Sequence, residues 1–325
     1  MADLHVLVTR PDVPAADDVR RAAADLGARL TWLPTAPGRA EPDPQALREA
    51  LADADAVLAQ GVDPLDATAL AGASRLKVCA LAAVGVDQVD LAAARRRGVR
   101  VTNTPGVLAA TTADTAFALV LMARRRLVEA TDAMRAGRWT GFSPEGFLGH
   151  DVAGASLGVV GYGEIGRQVA RRGRGFGMTV RHLQRDSAPA DDVSAPVGWE
   201  ELLRGSDVLV LAVPLDARTR GMVDARALAQ MRPSATLVNI GRGALVVEAD
   251  LLAALREGRL HSAGLDVFDG EPRPDPDDPV MSTPGLVVLP HVGSASHATR
   301  AAMTRLAVRN LVAVLRDEPP PTPVA

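Results

Sequence analysis

The sequence predicts an α/β protein whose strands run parallel. Short apolar segments with strand character alternate with helical patterns over most of the chain. This alternation indicates parallel sheets that are covered on both faces. A glycine-rich turn lies between a strand pattern and a helix pattern near the middle of the chain. The length of 325 residues suits about two domains of ~150 residues each.

The N-terminal third predicts one α/β domain. Strand patterns lie at HVLVTR, RLTWLP, DAVLAQ, LKVCALAAV and VRVTNT, with a helical pattern at Val13–Leu26 and alanine-rich helical pieces between the later strands. The next segment, Thr111–Ala136, contains neither proline nor glycine. It predicts a single long connecting helix.

Ala155–Met178 predicts a strand, a tight turn and a helix. An apolar run leads into Gly161, Gly163 and Gly166. At this spacing the first glycine permits the turn, the second lets a pyrophosphate approach bare backbone, and the third lets the helix pack close to the strand. A second strand pattern, Met178–Leu183, follows at the distance expected in a βαβ unit. We therefore predict that this unit binds a dinucleotide.

The remainder continues the alternation. Strand patterns at DVLVLAV, ATLVNI, HSAGLDV and LVVLP alternate with helical patterns at WEELLR, DARALAQM and EADLLAALREG. Gly258 stands where a glycine ends a helix. Glu271–Pro284 lacks periodicity and predicts a surface loop, and Ala298–Leu315 predicts a final helix.

Composition and charge exclude several classes. Hydrophobic residues make up 47% of the chain and charged residues 23%, and the formal net charge is −3. This balance argues against nucleic-acid or membrane-surface partners. Arginine clusters at 95–97, 124–126 and 171–174 lie in helical patterns, so we expect solvated helix faces. We expect the single cysteine, Cys79, to be buried and inert, because it lies in an apolar run.

No signal peptide and no apolar run of ~18 residues is visible, so we expect a cytoplasmic protein. The six histidines show no metal-ligand spacing, and we predict no metal site.

Three polar residues follow strand patterns C-terminal to the glycine turn, namely Arg242, Glu271 and His291. Ligands of open α/β sheets gather at the carboxyl ends of strands. A planar guanidinium can hold a carboxylate and the adjacent carbonyl oxygen through parallel hydrogen bonds. A histidine can protonate a developing alkoxide near neutral pH, and a neighbouring carboxylate can hold its ring. The set therefore predicts hydride transfer to a keto acid, with the hydride from the dinucleotide.

Several motifs together resemble one family. GVVGYGEIG, LAVPL, LVNIGRG, AGLDVFDGEP and LPHVGSAS, preceded by VGVDQVDLAAARRRGVRVTNTPGVLAATTADTAFALVL, follow the order found in the D-isomer-specific 2-hydroxyacid dehydrogenases. The chain is most similar to the glyoxylate and hydroxypyruvate reductase branch. Recognisable motifs run from about Val84 to Asn310.

The resemblance implies two Rossmann-like domains with a cleft between them and a homodimer. A flavodoxin-like substrate-binding domain would comprise 1–103 and 291–325, and the dinucleotide-binding domain 104–290. Arg242, Glu271 and His291 match the catalytic set, and the backbone amides of Val84 and Gly85 would join Arg242 in binding the substrate carboxylate. The positions implied to bind the cofactor are Gly161, Gly163, Glu164, Ile165, Gly166, Gln184, Arg185, Val213, Pro214, Ile240, Gly241, Asp266 and Gly293.

Two positions depart from the usual pattern. After Leu183, where an acidic residue would bind the ribose 2′-hydroxyl of NAD, the chain has Gln184 and Arg185. Because Arg185 could pair with a 2′-phosphate, we predict a preference for NADP(H), with NAD(H) also possible. Glu164 stands where the family often has arginine near the phosphates.

The predicted function is reduction of a short 2-keto acid, such as glyoxylate or hydroxypyruvate, to the 2-hydroxy acid. Two alternatives stay open. The substrate could be 2-ketogluconate or a bulkier keto acid, or the protein could be a dinucleotide-sensing co-regulator.

Overall fold

The computed structural model describes residues 4–35, 41–184, 191–273 and 275–324. The chain divides into two compact units. Unit 1 comprises Met1–Leu108 and Ala295–Ala325, and unit 2 comprises Ala109–Ser294. These borders lie a few residues C-terminal of the predicted domain borders at 103/104 and 290/291.

Unit 1 alternates strands and helices as predicted. In chain order the elements are β1 His5–Val8, α1 Ala16–Asp25, β2 Arg29–Trp32, α2 Pro44–Leu51, β3 Ala56–Ala59, α3 Ala67–Ala71, β4 Val78–Leu81, α4 Leu91–Arg96 and β5 Arg100–Thr102. Asp43, Asp66 and Asp90 cap α2, α3 and α4, because each carboxylate accepts a backbone N–H of the first helical turn.

Strands β1 to β5 form the first sheet, in the order β2-β1-β3-β4-β5, with parallel pairing throughout. Strands β1, β3 and β4 are fully buried, as expected for the inner strands of a sheet covered on both faces. Cys79 lies in β4, and its complete burial raises the pKa of the thiol to about 12. The prediction of a buried cysteine is confirmed.

Unit 2 holds the glycine turn. Its elements are α5 Ala109–Arg124, α6 Leu127–Arg135, β6 Ser156–Val160, α7 Glu164–Gly175, β7 Thr179–Leu183, β8 Ala195–Val197, α8 Trp199–Gly205, β9 Val208–Leu211, α9 Ala225–Leu228, β10 Thr236–Asn239, the 3-10 turn Gly243–Leu245, α10 Glu248–Arg256, β11 Ser262–Leu265, α11 Pro279–Ser282 and β12 Leu286–Val288. The predicted loop at 271–284 therefore contains the short helix α11. It begins at Pro279, and Asp278 caps its N-terminus.

Strands β6 to β12 form the second sheet, in the order β12-β11-β10-β9-β6-β7-β8, again with parallel pairing. Alternate residues of β9 enter different cores. Val208 and Val210 pack with α5 and α7 residues, whereas Leu209 and Leu211 pack with α8 and α10 residues. The prediction of an α/β protein with two parallel sheets is confirmed.

The predicted helix at 111–136 is interrupted. Helix α5 ends at Arg124 and α6 begins at Leu127, because Arg126 adopts a left-handed conformation with φ 53°. Arg124 is 5% exposed, so the expectation of a solvated helix face is wrong at this position. Its guanidinium donates to the carbonyl oxygens of Asp151, Asp207 and Ser234 at 2.8, 2.9 and 3.1 Å, and these bonds compensate for its burial.

The final helix, α12, spans His297–Leu315 and packs in unit 1 against α1, β3 and β4. Asn310 is completely buried. Its side chain donates to Thr322 Oγ1 at 2.7 Å and accepts from the Thr322 amide at 3.0 Å. The segment after α12 is thereby attached beside β5, where the Val324 amide donates to the Val101 carbonyl at 2.8 Å.

Among the residues that the structure describes, no helix combines the length and the apolar character needed to cross a bilayer.

Candidate active site

The predicted site residues of unit 2 follow neighbouring strands. Strands β10, β11 and β12 are adjacent and parallel, so their carboxyl ends lie at the same end of the second sheet. Arg242 follows β10, Glu271 follows β11 and His291 follows β12. The glycine turn after β6 and Val213 and Pro214 after β9 lie at this same end. We call it the carboxyl end of the second sheet.

The turn between β6 and α7 needs its glycines. Gly161 has φ 92°, and a Cβ on it would lie 2.5 Å from the Ala212 carbonyl oxygen. A Cβ on Gly166 would lie 2.0 Å from the Gly161 carbonyl oxygen, so α7 packs directly on the turn. Around Gly163 a Cβ would meet nothing within 4 Å. The open side of the turn, at the N-terminus of α7, fits a pyrophosphate group.

The two positions that depart from the usual pattern lie on either side of this turn. Glu164 is the first residue of α7, with Ile165 after it in the first turn of that helix. Gln184 follows β7, is exposed, and donates its backbone amide to the Val197 carbonyl of β8 at 2.9 Å. Arg185, which carries the argument for a 2′-phosphate, lies outside the described residues.

A buried amide shapes the turn that carries Arg242. The completely buried Asn239 accepts the Gly241 amide at 3.0 Å through Oδ1 and donates from Nδ2 to the Arg242 carbonyl at 2.8 Å. A Cβ on Gly243 would lie 2.1 Å from the Phe268 carbonyl carbon, so this turn packs on the segment that leads to Glu271. The guanidinium of Arg242 donates to the Gly241 carbonyl at 2.8 Å and stays partly exposed.

The structure brings His291 and Glu271 into contact. Nδ1 of His291 lies 2.8 Å from Oε1 of Glu271, and the two side chains are 39% and 25% exposed. An ionised carboxylate only accepts hydrogen bonds, so Nδ1 carries the proton between them. His291 has φ 52°, a left-handed conformation that histidine tolerates better than most residues.

Asp266 holds the backbone that follows His291. Its two carboxylate oxygens accept the amides of Val292 and Gly293, both at 2.8 Å, and its own carbonyl accepts the His291 amide at 2.9 Å. Asp266 is 2% exposed, and burial raises its pKa. A Cβ on Gly293 would lie 2.8 Å from Oδ2 of Asp266, so a side chain at this position would displace the carboxylate that holds the loop. Ile240 is also buried, at the end of β10.

The predicted substrate loop lies in unit 1, after β4. The Val84 carbonyl accepts from Asn103 Nδ2 at 2.9 Å, and the Ala83 carbonyl accepts from the Thr104 amide at 2.7 Å. These bonds attach the start of the loop that includes Gly85 to the residues that follow β5.

Sequence reasoning missed two residues near the predicted site. Asn239 is the last residue of an apolar strand, and Tyr162 lies between the first two glycines of the turn. Only a polar side chain at the end of an apolar run could have signalled Asn239. Over the described ranges, no group of three or more His, Cys, Asp or Glu residues is placed to hold a metal ion.

Comparison with known proteins identifies the family. The family model for the NAD-binding domain of D-isomer specific 2-hydroxyacid dehydrogenases matches residues 117–293. A glyoxylate reductase of Korarchaeum cryptofilum is 44% identical over 288 residues, which cover 87% of this chain and 86% of the relative. The chain belongs to the D-isomer specific 2-hydroxyacid dehydrogenase family.

Two solved structures of similar proteins align with nearly the whole chain of this dehydrogenase. A protein of Thermus thermophilus is 41% identical, with a TM-score of 0.90 over 99% of this chain and 100% of that one. An NADPH-dependent glyoxylate/hydroxypyruvate reductase of Sinorhizobium meliloti, solved with NADP and malonate, is 32% identical. Its TM-score is 0.84, over 100% of this chain and 97% of that one.

Proposed function

We propose that this dehydrogenase reduces glyoxylate, hydroxypyruvate or a similarly short 2-keto acid to the 2-hydroxy acid, with NADPH preferred and NADH also accepted. The observation that carries the proposal is the contact of His291 with Glu271 at the end of the sheet where Arg242 lies. Named relatives that act on glyoxylate and hydroxypyruvate support the substrate class.

In this proposal His291 is the general acid. Reduction of a keto group places negative charge on its oxygen, and an imidazolium can neutralise that charge by proton transfer. Because Nδ1 donates to Glu271, Nε2 is the nitrogen left to deliver the proton. Glu271 fixes the orientation of the ring through this contact.

Arg242 would bind and polarise the substrate. Its planar guanidinium presents several N–H donors in one plane, which suits a carboxylate beside a keto oxygen. Asn239 would keep this side chain in position, because it accepts the Gly241 amide and donates to the Arg242 carbonyl. The amides of Val84 and Gly85 would bind the substrate carboxylate.

The cofactor is proposed to lie along the carboxyl end of the second sheet. Gly161, Gly163 and Gly166, with Glu164 and Ile165 in the first turn of α7, would hold the pyrophosphate. Bound reduced nicotinamide supplies the hydride. The residues that would complete the cofactor site are Gln184, Arg185, Val213, Pro214, Ile240, Gly241, Asp266 and Gly293.

We also propose that the protein is a homodimer. Five large apolar side chains lie exposed within residues 134–148, and we call this stretch the exposed apolar segment. Their exposed fractions are 58% for Met134, 55% for Trp139, 89% for Phe142, 39% for Phe147 and 62% for Leu148. Such a concentration is typical of an interface, and a second copy is the occupant that the family resemblance favours. The cytoplasmic location remains a prediction from the sequence.

Light scattering tests the dimer. The wild type should have twice the mass of one chain, and the double substitution Trp139→Glu and Phe142→Glu should give monomers. Met281→Glu, at an exposed apolar residue elsewhere in unit 2, should leave the mass unchanged. A monomeric wild type, or a double variant that stays dimeric, would refute this part of the proposal.

The activity is tested by following the absorbance of reduced nicotinamide with glyoxylate and with hydroxypyruvate, each with NADPH and with NADH. Faster oxidation of NADPH than of NADH supports the reaction and the cofactor preference, whereas oxidation of NADH alone retains the reaction and rejects the preference. Dinucleotide binding without turnover of either acid contradicts the substrate assignment. Other 2-keto acids would then be tested before a sensing role.

A further inference from the structure

An arginine outside the site described above holds the segment that carries Glu271. Arg273 comes shortly after Glu271 in the chain, and its guanidinium pairs with Glu248, the first residue of α10. Nη1 donates to Oε1 and Nη2 donates to Oε2, both at 2.8 Å. Two parallel bonds between a planar guanidinium and a carboxylate fix the geometry of such a pair as well as strengthening it.

Further contacts hold the same guanidinium. Nη2 also donates to the Asp269 carbonyl, Nη1 lies 3.2 Å from Oδ2 of Asp278, and the central carbon lies 5.8 Å from the ring centroid of Phe268. The side chains of Arg273, Glu248 and Asp278 are 23%, 22% and 17% exposed. Because these groups are largely shielded from water, their attraction is screened less than that of an ion pair on an open surface.

The pair connects the two segments that carry the predicted catalytic residues of β10 and β11. Glu248 begins the first α-helix after the Arg242 turn, and Arg273 lies in the connection after β11 that contains Glu271. These segments also pack on each other through the glycine that follows Arg242. The Arg273–Glu248 pair therefore attaches the Glu271 segment to the N-terminus of α10.

The contact of Glu271 with His291 depends on the position of this segment. Oε1 of Glu271 lies 2.8 Å from Nδ1 of His291, and a hydrogen bond of this kind decides which ring nitrogen carries the proton. Glu271 lies between β11 and α11, in a connection without a helix or strand of its own. Catalytic groups have to be held within about 0.5 Å of their productive geometry, so this connection requires support from outside.

We propose that Arg273 is a positioning residue for the reaction. Through its pair with Glu248 it holds the carboxylate of Glu271 against Nδ1 of His291, which leaves Nε2 to deliver the proton. Arg273 needs no contact with the substrate or the dinucleotide for this role. The catalytic consequence rests on the proposed function, whereas the state of the His291 ring can be measured without any substrate.

The first test is nitrogen NMR of protein labelled in its histidine rings. At alkaline pH the wild type should have the proton of His291 on Nδ1, and the signals of this ring are identified by their absence from His291→Asn. Arg273→Met keeps an unbranched side chain and removes the guanidinium. It should convert a large part of His291 to the form protonated on Nε2. An unchanged ring, or a wild type already protonated on Nε2, would overturn the inference.

The second test is turnover of glyoxylate and hydroxypyruvate. Arg273→Met should lower kcat about tenfold, because a displaced Glu271 no longer orients the proton donor. KM and the dissociation constant for dinucleotide should change little, since the proton is transferred after binding. A variant that lost only thermal stability, with kcat retained, would show a purely structural role and contradict the proposal.

Glu248 supplies the matched variants. Glu248→Gln keeps one oxygen that can accept from Arg273 and should have a smaller effect than Glu248→Ala, which should approach Arg273→Met. The double variant Arg273→Met with Glu248→Ala should lose no more than Arg273→Met alone. Arg204→Met breaks an exposed pair with Glu200 in α8 and should change neither the His291 ring nor kcat. An additive double variant, or an equal effect of Arg204→Met, would refute the role of the pair.

The two tests separate this inference from the proposed function. If the wild type reduces neither acid while Arg273→Met changes the His291 ring, the proposed function fails and the positioning of Glu271 by Arg273 is supported. If the wild type reduces these acids and Arg273→Met changes neither the ring nor kcat, the function is retained and the inference is rejected. A changed ring with an unchanged kcat in an active enzyme would likewise reject Arg273 as a positioning residue for the reaction.

Discussion

The two ends of the second sheet hold their polar groups in different ways. At the carboxyl end, His291 and Arg242 remain partly exposed, and the backbone adopts left-handed conformations at Gly161 and His291. At the amino end, which we define as the starts of β6, β9, β10 and β11, Arg124 and the side chains of Thr236 and Ser262 are buried and hydrogen bonded. One end keeps polar side chains accessible to solvent, and the other buries them in hydrogen bonds.

The largest expected effect is at the carboxyl end. His291→Asn should lower kcat by ~10²–10⁴-fold because a general acid is lost, while asparagine tolerates the left-handed backbone. The dissociation constant for dinucleotide and the melting temperature should change little. His150→Ala, at an exposed histidine on another part of unit 2, is the matched control and should retain turnover. Full activity of His291→Asn would remove His291 from the mechanism.

The next largest effect is expected at the amino end. Arg124→Met should reduce the free energy of unfolding by about 3 kcal/mol, because three backbone carbonyls lose their donor. Urea denaturation measures this loss, and kcat/KM should stay near the wild-type value. The exposed neighbour Arg125 provides the control Arg125→Met, which should be nearly neutral. A large loss of kcat/KM in Arg124→Met would show that the amino end also affects catalysis, contrary to the division between the two ends.

A smaller effect should follow from loosening the Arg242 turn. Asn239→Ala should lower kcat/KM for the keto acid by about tenfold, since a guanidinium that is less well positioned binds the substrate less well. The second measurement is the dissociation constant for dinucleotide, which should stay near the wild-type value. Ser262→Ala, at the amino end of the neighbouring strand, should cost stability alone. If both variants changed only stability, Asn239 would have no positioning role.

The smallest expected effect is on the stability of the protein at acidic pH. Burial would raise the pKa of Asp207, but bonds from the Ser156 amide and Arg232 outweigh it and lower the pKa below 3.8. Its contribution to stability is therefore full above the unfolded pKa and disappears as pH falls through the lower folded value. Asp207→Asn should be less stable than wild type by about 1 kcal/mol at pH 7. Chemical denaturation at pH 7 and at pH 3 should show the difference shrinking, and a constant difference would contradict this linkage.

The sequence predicts best those features in which the backbone geometry permits only certain residue types. Gly161 and Gly166 occupy positions where a Cβ would clash. Their spacing, between a strand pattern and a helix pattern, indicated the turn. Glu271 and His291 were predicted as partners from their places after strand patterns and from the chemistry of a carboxylate beside a histidine, and they lie in contact. Their catalytic roles stay predictions until the variants are measured.

The failures have physical causes. Arg124 lies in a run of three arginines, and no local pattern reveals that three distant carbonyls meet at the end of its helix. The break between α5 and α6 lies at Arg126, and no glycine or proline there predicts it. Tyr162 lies among residues of a familiar turn, and Asp191, which accepts its hydroxyl, is far along the chain. Sequence periodicity does not reveal contacts between segments that are distant along the chain.

The two outermost strands of the second sheet have a consequence for handling the protein. Both β8 and β12 have three residues; Pro196 lies within β8, and Pro284 and Pro290 flank β12. A proline offers no N–H to an incoming strand, and short edges give little length for pairing. Sheet extension between molecules is therefore disfavoured at both borders, and concentrated samples should resist β-type aggregation.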